Sequence, residues 1–80
     1  MSYYATIDGV RMDKALLELS EKWKGYPDYV VIPLLVDALK DGGKVTATEK
    51  NTMQHICTTY FNKSPIFISV CQILEMTVDV

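Results

Sequence analysis

Nucleophilic catalysis needs a reactive side chain with an oriented base beside it, and this chain offers few of either. His55 is the single histidine, and Cys57 and Cys71 are the two cysteines. On a helix, His55 and Cys57 stand about 200° apart, so they face different sides and form no local dyad. A partnership of His55 with Cys71 requires the fold to join distant segments; otherwise both cysteines read as small hydrophobes on an apolar stripe. Zinc finds too few ligands. Trp23 and Tyr26 with Lys22 and Lys24 have the composition of a cation and ring platform, but Trp23 fits better as the end of a helical stripe. Glu18, Glu21, Asp37 and Asp41 fall in different segments without metal spacing, and Gly42-Gly43 lacks the longer pattern of a phosphate loop. The expectation is a noncatalytic protein with no cofactor and no metal.

The most punctuated stretch is KDGGKVTATE, Lys40 to Glu49. Counted from Ala38, a twelve-position loop puts Gly43 at position six, Val45 at eight and Glu49 at twelve, which resembles an EF-hand. Positions one, three and five are then Ala38, Lys40 and Gly42, which bring no carboxylate and include a cation. The resemblance is to a degenerate loop that does not bind calcium. Without a ligand, the same residues read as a helix stop at Asp41, a left-handed glycine at Gly42 or Gly43, and a capping box from Thr46 to Glu49. This D-G-x-x-V-T-x-x-E joint resembles those between helices in the tellurite-resistance type of bacterial helical domain. The resemblance covers little more than the joint, implies a helical fold of bacterial or phage type, and carries over no site.

The helix that follows, Thr46 to Phe61, also resembles the second helix of a helix-turn-helix domain. Lys50, Asn51, Gln54 and His55 on its polar face are residue types that contact phosphates and base edges. The formal charge of -2 and pI near 5.1 give the chain as a whole no footprint for a polyanion. The connection before the helix is also longer than the usual three or four residue turn. DNA binding is therefore the alternative and not the leading expectation.

These segments must be positioned by a very small body. The chain has 80 residues, 49% of them hydrophobic and 22% charged, so it reads as one ordered domain over 1-80 that buries about 60 to 65% of its unfolded surface. The thiols are expected reduced, no secretory leader is expected from the charged and turn residues of the first segment, and the localisation is read as cytoplasmic. The longest apolar runs, at 29 to 36 and 65 to 76, are too short to span a membrane.

The architecture expected is mainly α, a bundle of about four helices with a short N-terminal hairpin. Asp8-Gly9 between β-prone residues is a type I′ turn signal. Asp13 offers an N-cap for a first helix that carries Met12, Leu16, Leu19 and Trp23 on one stripe and ends at Gly25. Asp28 offers a second N-cap. For residues 29 to 32 two solutions fit: helix from Tyr29 with Pro33 tolerated inside, or an extended run with Pro33 as the first helical residue, the latter preferred. Met53, Ile56, Cys57, Tyr60 and Phe61 make the stripe of the third helix. Ser64-Pro65 reads as N-cap and N1 of a fourth, although Ile66, Phe67, Ile68 and Val70 also suit a buried strand.

Both the second and fourth helices are apolar around most of their circumference, more than so small a domain can shield. An interaction module that self-associates as a homodimer follows, with Ile66, Phe67, Val70, Ile73 and Leu74 as its interface and any further protein partner unidentified.

Overall fold

A computed structural model describes residues 4–40 and 45–76. Strand β1, Tyr4–Ile7, pairs antiparallel with β2, Val10–Asp13, in the register Ile7 to Val10 and Tyr4 to Asp13. Asp8 and Gly9 both take positive φ, 52° and 79°, as a type I′ turn demands. The hairpin does not stand alone, because β2 packs along the third helix and buries Met12.

Helix α1, Lys14–Trp23, starts at Asp13, whose carboxylate accepts the Leu16 amide at 3.1 Å. Leu16 is buried and Leu19 and Trp23 are half-buried, as the stripe requires. Gly25 does not adopt the left-handed conformation expected of it. The helix closes instead through Lys24 in right-handed geometry and a Tyr26 amide bonded to the Trp23 carbonyl at 2.9 Å.

Helix α2, Asp28–Lys40, overturns the preferred extended start. It runs through Pro33, and the Pro27 carbonyl accepts from both Val30 and Val31. Asp28 is consequently the first helical residue and not the cap. Pro33 sits in the second turn with its ring exposed, and the Tyr29 carbonyl that loses a partner belongs to a residue 71% exposed, where water can satisfy it. The reward for the longer helix is that Val31, Ile32, Leu35 and Leu39 all reach the core.

Helix α3, Ala47–Tyr60, begins with the full capping box: Glu49 donates its amide to Thr46 Oγ1, and the Thr46 amide donates to Glu49 Oε1. The expected glycine stop at Asp41 to Gly43 lies outside the described residues. Helix α4, Pro65–Glu75, starts on Ser64, whose hydroxyl accepts the Phe67 amide, with Pro65 at its first position. Residues 65 to 75 are therefore helical and not a strand. Met53, Ile56, Cys57 and Phe61 from the α3 side meet Phe67 and Cys71 of α4 and the α2 residues in one cluster. Phe61 and Phe67 stack at 4.9 Å between centroids. The protein is thus mainly α, with four helices and one two-stranded hairpin among the described residues. None of these helices is long and apolar enough to cross a membrane.

Candidate interaction surface

Ser64 fixes where α4 starts and how it is turned. Besides capping Phe67, its hydroxyl donates to the Asp28 carboxylate at the start of α2, which ties the N-termini of the two helices together. With the helix so anchored, the 100° step per residue points Phe67 and Cys71 at the core. Val70 and Leu74 lie half-buried at its edge.

The opposite side is apolar and open. Ile66 is 56% exposed and Ile73 64% exposed, and their spacing of seven places them two turns apart on one line. Exposed Ser69 and half-buried Val70 flank that line, Met76 follows it, and Glu75 is the only charged residue in the helix. Of the five interface residues expected from sequence, Ile66 and Ile73 face outward and Val70 and Leu74 supply the margins. Phe67 is fully buried against Phe61 and belongs to the core.

The polar face of α3 is partly covered. Asn51 and Gln54 are exposed, whereas Lys50 and His55 are half-buried. The hairpin lies against this helix, and a depression of about 280 Å³ between them is lined by Val10, Met12, Asn51, Gln54, His55 and Glu75 among others. Glu75 brings a carboxylate from the end of α4 to the same place as Asn51, Gln54 and His55, three of the four residues expected to contact DNA; Lys50 does not line it. His55 opens onto this surface, while Cys57 and Cys71 are buried. Cys71 Sγ lies 3.6 Å from the Met53 carbonyl oxygen. The described residues contain no cluster of three or more metal-ligating side chains.

Two features escaped sequence reasoning. Thr52, fully buried in α3, accepts the Asp13 amide at 2.6 Å and donates to the Thr48 carbonyl at 2.7 Å, bolting the hairpin end to the helix. Tyr60, expected on the apolar stripe, is 36% exposed and donates to Glu21 Oε2 at 2.6 Å. Lys24 donates to the other oxygen of Glu21 at 2.7 Å. Lys24 foremost, and Tyr60 after it, hold the Glu21 carboxyl below the usual range, and Glu21 in turn raises Lys24 and Tyr60. The three groups bridge α1 and α3 at the surface. No sequence signal marks either arrangement, since each joins residues 39 positions apart.

Compared with family models, with curated proteins and with solved structures, the chain matches none of them.

Proposed function

We propose that this protein is a noncatalytic interaction module that self-associates as a homodimer through the outward face of α4. The observation that carries the reading is the pair Ile66 and Ile73, each more than half exposed on one line of a helix with a single charged residue. A twofold axis across that line would bury both isoleucines of both copies and bring the flanking Ser69 of each copy to the edge of the contact. Fully burying an exposed isoleucine or methionine contributes about 1.5–3 kcal/mol, so Ile66, Ile73 and Met76 of both copies, 56%, 64% and 82% exposed, contribute roughly 6–12 kcal/mol. Association costs at least about 4 kcal/mol in lost translational and rotational freedom. The surplus is at most about 8 kcal/mol, and the dimer is expected to form in the micromolar to millimolar range.

The test is the concentration dependence of mass, compared between the native chain and Ile73→Glu. DNA binding through the helix from Thr46 to Phe61 has weaker support: exposed Asn51 and Gln54 favour it, but Glu75 and the hairpin crowd the same face. Absence of binding to random duplex DNA at low salt would remove it. Two free, buried cysteines support a reducing, cytoplasmic setting.

A further inference from the structure

The two cysteines that catalysis does not use are brought together by the fold. Cys57 on α3 and Cys71 on α4 are each 4% exposed. Cys71 Sγ reaches the carbonyl oxygen of Met53 at 3.6 Å, and that carbonyl, four residues before Cys57, is the helical acceptor for the Cys57 amide. The Cys71 sulfur therefore sits over the turn of α3 that carries Cys57, close enough for the two thiols to influence each other's ionisation. Cys57 Sγ also points at the Phe61 carbonyl at 3.8 Å, at the end of the same helix. Facing turns of α3 and α4 thus each bring a buried thiol to the same part of the core.

We propose that Cys57 and Cys71 form a latent modification site, an intramolecular disulfide closed by a small-molecule disulfide and fastening α4 to α3. The exchange balances in two steps. The thiolate of one cysteine attacks a sulfur of the small disulfide, forming a mixed disulfide and expelling one thiolate. The second cysteine attacks the protein sulfur of that mixed disulfide, the bond between Cys57 and Cys71 forms, and the second small thiolate leaves. The protein dithiol is oxidised by two electrons, the small disulfide is reduced to two thiols, and the two cysteine protons end on those thiols.

The site is guarded by its own burial. Desolvation foremost, with Cys57 beside it, pushes the Cys71 thiol up to about 12, so it is protonated while α4 is seated and gives no nucleophile. Exchange proceeds when α4 lifts locally from α3 and α2, the two helices on which it chiefly rests. The crosslink, once closed, encloses residues 58–70, including the turn between the helices, and constrains the unfolded chain more than the folded one. Ile66 and Ile73 stay outward, so the lock is independent of the dimer face.

Incubation of the reduced protein with oxidised glutathione, followed by intact mass and by alkylation under denaturing conditions, tests the assignment. The expected result is an uncrosslinked single chain lighter by two hydrogens, with no alkylatable thiol, a melting temperature higher by roughly 10–25 °C, and full reversal by dithiothreitol. Persistence of both thiols in the unfolded protein, a retained glutathione adduct, or a crosslink between two chains would each overturn it. Cys71→Ala, treated in the same way, lacks the resolving thiol and is expected to show no two-hydrogen loss, with Cys57 either alkylatable or held as a glutathione adduct that dithiothreitol removes.

Discussion

Replacing Thr52 by valine tests how the hairpin is held. The two-residue turn makes Ile7 and Val10 a hydrogen-bonded pair, and the alternation of an antiparallel ladder then leaves Tyr4 and Asp13 as a non-bonded pair. The Asp13 amide consequently points away from β1 and finds its acceptor in Thr52 Oγ1 at 2.6 Å. Valine keeps the branched shape and the packing but removes that oxygen, leaving a part-buried amide without a partner, which costs about 1–3 kcal/mol. The gain from an apolar methyl in a fully buried site offsets at most about 0.8 kcal/mol, so a net loss of about 1–2 kcal/mol is expected. For a domain of this size that lowers the melting temperature by roughly 5–15 °C, readable by far-UV circular dichroism. Hydrogen exchange at the Asp13 amide should accelerate in Thr52→Val and stay slow in Thr52→Ser, which keeps the hydroxyl. A valine variant that melts at or above the native temperature, with the Asp13 amide still protected, would refute the reasoning.

Ser64→Ala removes the cap on Phe67 and the bond to Asp28 together, and urea unfolding should show a loss of about 1–2 kcal/mol, largely recovered by Ser64→Thr. Pro33→Ala restores an amide for the Tyr29 carbonyl; a helix-interior proline costs about 3 kcal/mol and its rigidity in the unfolded chain returns about 1 kcal/mol, so the urea midpoint should rise. A lower midpoint would show that α2 depends on the ring. The Glu21 carboxyl is depressed in the folded state, so its contribution to stability is present above its unfolded pKa and fades as pH falls through the folded value. Carboxyl NMR should find Glu21 titrating below the ordinary glutamate range in the native protein and moving upward in Tyr60→Phe.

The parts legible in the sequence are those whose signals are local. Asp8-Gly9, the Asp13 and Ser64 caps and the Thr46 to Glu49 box each specify backbone geometry within four residues, so the residue types suffice. Pro33 was misleading because its local cost is outweighed by four apolar contacts that only the assembled core supplies. Gly25 is permitted a left-handed conformation but not obliged to adopt one, and Pro27 two residues on ends the helix regardless. Phe67 illustrates the limit for the site: hydropathy marks α4 as too apolar, but which side faces out depends on the rotation fixed by Ser64 against Asp28. Thr52 and Tyr60 pair with groups in other elements, and composition carries no trace of such partners.

The self-association reading rests on Ile66 and Ile73, and analytical ultracentrifugation tests it most directly. Sedimentation equilibrium of the native chain from low micromolar to about 1 mM should show the mean mass climbing from 9.1 kDa toward twice that value. Ile73→Glu, with an unchanged circular dichroism spectrum, should stay at 9.1 kDa throughout. A native chain that remains at 9.1 kDa at every concentration, or a variant that dimerises as well as the native one, would contradict the account.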